Sequence, residues 1–135
     1  QEFELAVTVS GIGVAYSSSV QNSQLVLDIT VTPYFNKVTS WFKPAGRNTR
    51  VLAHEQTHFD ITAIKACELA STLRNAKYTQ ENFTKLIEEL QFKNAQESND
   101  EEVLYDKETN HGTIPDMQLA WEKKITEQVR AIGCY

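Results

Sequence analysis

Two histidines and a glutamate with the spacing of a metal site lie near the middle of the chain, in the run His54-Glu55-Gln56-Thr57-His58. The pattern H-E-x-x-H puts both histidines on one face of a helix, about one turn apart. Neutral imidazoles at that separation can bind one Zn²⁺ ion. Glu55 follows the first histidine, and a carboxylate there can take a proton from zinc-bound water. We predict metal ligands at 54 and 58 and a general base at 55; the alternative is two histidines that are only solvated or hydrogen-bonded.

A catalytic zinc site usually has three protein ligands and one open position for water. In one common pattern the third ligand is a histidine six residues after the second, but Ile64 occupies that position. The remaining histidine is His111, next to Gly112, where the backbone can turn tightly. We predict His111 as the third ligand, with Glu88 and Asp116 as alternatives.

Other side chains can contribute to such a site. Tyr105 lies six residues before the predicted third ligand, and its hydroxyl could reach the open metal position and stabilise an oxyanion; core packing is the alternative. Asp60 lies about 200° round the helix from His58, so we expect it to cap another segment or to orient a group behind the ligands. Trp41 and Trp121 are expected in the core rather than in the walls of a cleft.

The composition limits the kinds of protein that the chain can be. Its 135 residues fit one domain. A net charge of −5 without a basic run disfavours nucleic acid or an anionic membrane as the main partner. No apolar stretch approaches the length of a transmembrane helix. Because the sequence begins with Gln1, we expect that an upstream segment was removed, and a signal peptide is one explanation.

The first third of the chain reads as a small antiparallel sheet. Residues 1–9 alternate apolar and polar side chains, residues 25–32 are rich in β-branched types, and residues 34–42 carry aromatic ones, so we predict three strands there. The Gly-Ile-Gly run at 11–13 should end the first strand, and the Ser- and Asn-rich residues 16–23 should form a loop or turn.

A long helix should follow a turn at residues 43–46 and carry the H-E-x-x-H motif. We predict it from about 49 to 75, capped by Asn48 or Thr49. The two histidines lie off its apolar stripe and can face a cleft. That stripe, which we expect to pack, comprises Leu52, Phe59, Ala63, Ala66, Ala70 and Leu73.

Two further helices are predicted in the last 60 residues. The first should start at a Thr79 cap and extend to about Leu104; the alternatives are a break around 94–99 or a separate helix that starts at the polar residues 98–102. The second should be capped by Thr113 and end at Gly133. The packing face of this last helix comprises Met117, Trp121, Ile125, Val129 and Ile132.

Two runs resemble the motifs of a bacterial family, the predicted secreted zinc-dependent proteases. Residues 51–61 read V-L-A-H-E-Q-T-H-F-D-I and resemble its core motif; residues 105–112 read Y-D-x-x-T-x-H-G and resemble its second motif. Both follow a β-rich segment, so the resemblance spans most of the chain. It implies a single zincin-like α+β domain over residues 1–135, secreted or periplasmic. It also supports His111 as a zinc ligand.

Export bears on Cys67 and Cys134, which do not form a C-x-x-C pair. In an oxidising compartment they could form a disulfide that ties the C-terminus to the first helix. Two buried free thiols are the alternative, and the sequence leaves both open.

These observations predict a zinc metallopeptidase that acts on a peptide or protein. Glu55 would accept the proton of the attacking water and later deliver it to the leaving amine. The peptide would lie along an edge strand formed by residues 34–42. One alternative is a non-catalytic zinc-binding protein of the cell envelope that uses the cleft for binding, and a weaker one is a zinc hydrolase of another amide or ester.

Overall fold

Two antiparallel strand pairs precede three long helices in the computed structural model, which describes residues 4–134. The predicted α+β class, with an N-terminal antiparallel sheet region followed by helices, is confirmed. Residues 1–3 of the predicted first strand lie outside the described residues. The elements in chain order are β1 (Ala6–Val7), β2 (Ser10–Gln21), β3 (Gln24–Phe35), β4 (Trp41–Phe42), α1 (Thr49–Asn75), α2 (Phe83–Thr109) and α3 (Pro115–Ile132).

Strands β2 and β3 form one long hairpin. Their register runs from the pair Ser10 and Phe35 to the pair Gln21 and Gln24. The predicted break at 11–13 is therefore wrong, and of the predicted loop or turn at 16–23 only Asn22 and Ser23 form a turn, which connects the two strands. The Ser-rich stretch is an exposed strand because its partner satisfies its backbone hydrogen bonds, which residue composition alone does not reveal.

The third predicted strand, at 34–42, is also wrong in its extent. Strand β3 ends at Phe35, and only Trp41 and Phe42 of the later residues are in a strand. Between them the Asn36 side chain accepts hydrogen bonds from the backbone N–H groups of Val38 and Thr39, at 3.0 and 3.1 Å, which turns the chain. Strand β4 then pairs with β1, and a single 3₁₀ turn over residues 44–46 leads into α1.

Helix α1 has the predicted bounds of 49 and 75. Asn48 is its cap, since the side-chain oxygen accepts a hydrogen bond from the Val51 N–H at 3.0 Å. The predicted packing stripe is correct toward the C-terminus, where Leu73 is buried. It is wrong at Leu52, whose exposed fraction is 66%. The stripe therefore continues past the packed core onto an open surface.

Helix α2 is continuous, so neither the break considered at 94–99 nor a separate helix from residue 98 is present. Asn94 lies within it, 8% exposed, and donates a side-chain hydrogen bond to the Lys65 carbonyl of α1 at 3.0 Å. This contact joins the two helices where the polar composition suggested a loop. Helix α2 also extends past the predicted end at Leu104, to Thr109. The position directly before the helix is Asn82, but Thr79 caps the turn that leads into it as predicted: its hydroxyl accepts a hydrogen bond from the Asn82 N–H at 3.1 Å, and the Asn82 side chain accepts one from the Thr79 N–H at 2.7 Å.

Helix α3 ends at Gly133 as predicted, where φ is +71°. Its cap position is Ile114 rather than Thr113, whose hydroxyl instead donates to the Asn110 carbonyl at 2.7 Å. Trp121 lies in the core as predicted, whereas Trp41 is 38% exposed, so its predicted burial is wrong. None of the helices within residues 4–134 combines the length and apolar character needed to cross a membrane.

Two apolar clusters flank α1. The first lies between α1, α2 and α3 and adjoins the histidines; the second lies between α1, the start of α2 and one face of the hairpin. A disulfide between Cys67 and Cys134, with Cα atoms 6.1 Å apart, ties the C-terminus to α1. The buried members of the first cluster are Ile61, Ile64, Tyr105, Trp121 and Ile125, and those of the second are Leu69, Leu73 and Ile87.

Candidate metal centre

The two histidines of the H-E-x-x-H motif are buried between α1 and α2. Only 5% of His54 and 9% of His58 is exposed. Their rings lie 4.9 Å apart, centroid to centroid, at an interplanar angle of 86°. The helical spacing of four residues thus brings both imidazoles to one place, as predicted from the sequence.

Both histidines converge on a carboxylate of α2. Asp106 Oδ1 lies 3.0 Å from His54 Nε2 and 2.8 Å from His58 Nε2. One ligand atom from each of the three residues lies within 4.8 Å of the other two, so the group could hold a metal ion. Two imidazole nitrogens and a carboxylate oxygen are a donor set that suits zinc.

The outer ring nitrogens of the histidines have their own partners. His54 Nδ1 lies 2.9 Å from the Gln118 side-chain oxygen, and His58 Nδ1 contacts Glu102 Oε2. Both partners are acceptors, so each Nδ1 is suited to carry the proton of a neutral imidazole. In a neutral imidazole this leaves the Nε2 lone pair free, on the side of Asp106. Metal-binding histidines are commonly oriented in this way by a carboxylate or carbonyl oxygen.

Electrostatics provides a test of whether a cation fits here. Two lone pairs and a carboxylate oxygen repel one another unless positive charge lies among them. Protons on the histidine rings can supply that positive charge. Burial lowers the pKa of His58, but hydrogen bonds with Asp106 and Glu102 outweigh it and raise that pKa to about 10. Burial likewise raises the pKa of Asp106, but hydrogen bonds from both histidines outweigh it and lower that pKa. The residues present therefore fit a bound cation.

Glu55 adjoins the three converging residues without belonging to them. It is half-buried and accepts a hydrogen bond from the Thr8 hydroxyl, just past β1. It lines the same cavity as the histidines. Its role as a base stays a prediction.

A cavity of about 710 Å³ gives access to these side chains. Its walls are residues 4–8 at β1, the first turns of α1, the C-terminal half of α2 and the turn at 110–113. The ionisable side chains in its lining include Glu4, His54, Glu55, His58, Asp106 and His111.

His111 lies beside the group formed by His54, His58 and Asp106 rather than within it. Its side chain is 51% exposed, and Nδ1 is 3.7 Å from Asp106 Oδ1 and 3.8 Å from Glu4 Oε1. It lies in a left-handed turn that ends α2, with φ +56°. The structure thus places the predicted third ligand at the edge of the group.

The predicted tight turn at Gly112 is confirmed. Its φ is +81°, and a Cβ atom at this position would lie 2.9 Å from the His54 ring. Glycine therefore serves two needs, the left-handed backbone and the close approach of the turn to His54.

Tyr105 lies behind the histidines. It is fully buried, its ring stacks on His54 with centroids 4.7 Å apart, and its hydroxyl donates to the His54 carbonyl at 2.9 Å. The Gln118 side-chain amide also bonds this hydroxyl, at 2.8 Å. Burial raises the pKa of the phenol. This placement corresponds to the core-packing alternative, since the hydroxyl does not line the cavity where an oxyanion would form.

The other acidic candidates lie apart from the ligand group. Asp60 accepts a hydrogen bond from the Gln56 side chain at 3.0 Å, one turn back on α1. Glu88 and Asp116 are not part of the cavity lining.

The sequence did not identify the roles of Asp106, Glu102 and Gln118. A usable signal was the spacing of four between Glu102 and Asp106, which puts two acids on one face of α2. It was missed because the helix was predicted to end at Leu104, leaving Asp106 in a loop. Gln118 carries no such signal, since its contact with His54 depends on how α3 packs on α1.

No protein-family model matches this chain, and neither does any curated protein or solved structure with which it was compared. The resemblance to secreted zinc-dependent proteases therefore stays a prediction that rests on the two motifs.

Proposed function

We propose that this chain is a zinc-dependent metallohydrolase that cleaves peptide bonds. The supporting observation is the convergence of His54 Nε2, His58 Nε2 and Asp106 Oδ1 beside an open cavity. These three residues would hold the ion. Bound zinc would supply a Lewis acid that polarises the scissile carbonyl and acidifies a water molecule.

Glu55 is proposed as the general base. Its carboxylate lies in the cavity lining next to both histidines, and the hydrogen bond from Thr8 restricts its orientation. It would accept the proton of the attacking water and deliver it to the leaving amine.

The substrate is proposed to lie along β1, and not along residues 34–42 as the sequence suggested. Residues 4–8 line the cavity, whereas 34–42 do not. On one side Leu5 accepts a hydrogen bond from the Lys43 N–H at 2.8 Å. The alternation of an antiparallel pair then directs the backbone N–H and C=O of Ala6 away from β4. An extended peptide could pair with that outer edge.

We also propose that the protein is exported, either secreted or periplasmic. The disulfide between Cys67 and Cys134 supports this, because such bonds persist mainly in oxidising compartments.

The test combines metal analysis with one substitution. The purified protein should bind one zinc ion, and hydrolysis of a peptide library should stop when a chelator is added. Glu55→Gln should retain zinc and lose roughly 10²–10⁴-fold in rate, the usual contribution of a general base. Glu68→Gln is the matched control, since Glu68 lies on the exposed side of the same helix and pairs with Lys65.

Two outcomes would contradict the proposal. Loss of zinc from Glu55→Gln would mean that Glu55 is a ligand and not a base. Stoichiometric zinc without hydrolysis of any peptide would instead support the non-catalytic zinc-binding protein.

A further inference from the structure

The uncovered end of the α1 apolar stripe faces a set of aromatic side chains. Leu52 is 66% exposed and Phe59 is half-buried. Across from them lie Phe35, Trp41 and Phe42, which are 48%, 38% and 57% exposed. These five side chains and Val51 line a depression of about 840 Å³, which we call the aromatic groove.

The aromatic groove concentrates exposed apolar surface in one concave place. Such concentrations usually mark a binding site, whereas exposed apolar residues scattered singly do not. Its rim is basic: the Arg47 guanidinium lies 5.6 Å from the Phe42 ring centroid, and the Lys43 ammonium lies 5.9 Å from that of Trp41. Apolar floor and basic rim differ sharply from the acidic cavity at the histidines.

The aromatic groove is continuous with the candidate metal centre. Thr8 and the neighbouring residues of β1 line both depressions, and so do Thr49, Val51 and Glu55 at the start of α1. Glu55, the proposed base, lies where the two meet. If the reacting bond of a bound peptide lies beside Glu55, a side chain next to that bond can therefore reach the aromatic groove.

We propose that the aromatic groove is the specificity site of the enzyme, and that it receives a large apolar side chain of an extended peptide next to the bond that is cleaved. This inference rests on the proposed function, because it assumes that the bound peptide is cleaved. We expect the groove to bind an apolar side chain such as that of Phe, Leu or Met, because its facing walls are aliphatic and aromatic. The basic rim disfavours a cationic side chain.

Binding and cleavage are measured separately, with two peptides. The probes are acetyl-Ala-Ala-Phe-Ala-Ala-amide and the same peptide with Ala in place of Phe. Binding to zinc-loaded Glu55→Gln is followed by calorimetry or by chemical shifts, and cleavage by the unsubstituted protein is followed by mass spectrometry. We expect the Phe peptide to bind and to be cleaved roughly tenfold better, a ratio typical of a side chain entering an apolar pocket.

Substitutions test whether the aromatic groove causes the preference for the Phe peptide over the Ala peptide. Leu52→Lys should bring the Phe:Ala ratio close to one, and Leu52→Ala should lower it partway; neither should prevent folding, because Leu52 is exposed. Leu119→Lys is the matched control, a leucine of α3 that is 64% exposed and not part of the groove lining. Its ratio should equal that of the unsubstituted protein.

The failure of this inference is distinguishable from the failure of the proposed function. Equal binding of both peptides, equal cleavage of both, or a ratio that Leu52→Lys leaves unchanged would overturn the specificity site while leaving the peptidase intact. A Leu52-dependent binding ratio without any cleavage would support the groove as a peptide site and overturn the peptidase.

Discussion

The histidines of α1 and the histidine of the turn after α2 are held in different ways. The side chains of His54 and His58 are 6% and 11% exposed, whereas that of His111 is 51% exposed. Each ring of the pair has partners at both nitrogens. The His111 ring has carboxylates at 3.7 and 3.8 Å, beyond the length of a hydrogen bond.

This difference teaches what a spacing in the sequence can specify. Four residues on a helix fix a direction in space, so the H-E-x-x-H pattern implied that the two rings converge. The position of His111 depends on three left-handed residues, 110–112, with φ of 46°, 56° and 81°. No spacing rule describes such a turn. The ring therefore lies near the site without the hydrogen bonds that orient the helical pair.

The largest expected effect separates the two candidates for the third ligand. Asp106→Ala should lower zinc affinity by more than about a hundredfold, beyond the usual cost of losing a partner that only orients a ligand. His111→Ala should change it by much less, since that ring lies outside the group of converging ligand atoms. Competition with a chromogenic chelator measures both affinities under identical conditions.

A reversed order would break the comparison. If His111→Ala were the more damaging substitution, the turn would have to bring its ring onto the ion when zinc binds, and the ligand set predicted from the motifs would be the correct one. Thermal unfolding in excess chelator is the control, because it reports any damage to the fold that is independent of metal.

A smaller effect is expected from the carboxylate that orients His58. Glu102 contacts His58 Nδ1 and accepts a hydrogen bond from Thr62 at 3.1 Å. Glu102→Ala should weaken zinc binding by about 10–100-fold, because the ring loses the acceptor that fixes its proton and its orientation. Glu101→Ala is a matched control, since Glu101 pairs with Lys65 at 3.1 Å. Equal affinities of the two variants would show that burial alone orients His58.

The elements that were predicted well are those with a strong local signal. Helix α1 has an Asn48 cap and an apolar period over 27 residues, and both of its ends were predicted. Strand β2 was missed because Ser17 to Ser19 have no strand preference of their own and are held by pairing with β3.

The residues of the candidate site likewise differ in whether a local pattern predicts them. His54, Glu55 and His58 are neighbours on one helix, and a local pattern identified them. Asp106 and Gln118 reach the same place from two other helices. Their contribution arises from the packing of α2 and α3 on α1, which a single sequence does not encode as a readable spacing.

The smallest expected effect concerns Tyr105. It decides whether this side chain stabilises an oxyanion or only packs in the core. Tyr105→Phe removes a hydroxyl that donates to the His54 carbonyl and receives a hydrogen bond from Gln118 Nε2. The variant should lose about 1 kcal/mol of unfolding free energy, the usual net value of such a bond. Gln118 can still accept from His54 Nδ1, so zinc affinity should change little. Denaturant unfolding and metal competition give the two numbers.

Peptide hydrolysis by the same variant is the discriminating measurement. A donor that stabilises an oxyanion contributes about 10²–10³-fold to kcat. Tyr105 is fully buried, its hydroxyl bonds the His54 carbonyl, and it does not line the cavity, so we expect kcat to fall by far less than that. A hundredfold loss of kcat with unchanged zinc affinity and stability would mean that Tyr105 reaches the substrate, which would require the side chain to leave its stack on His54. The His54 ring would then be held no more firmly than the His111 ring, and the contrast between them would disappear.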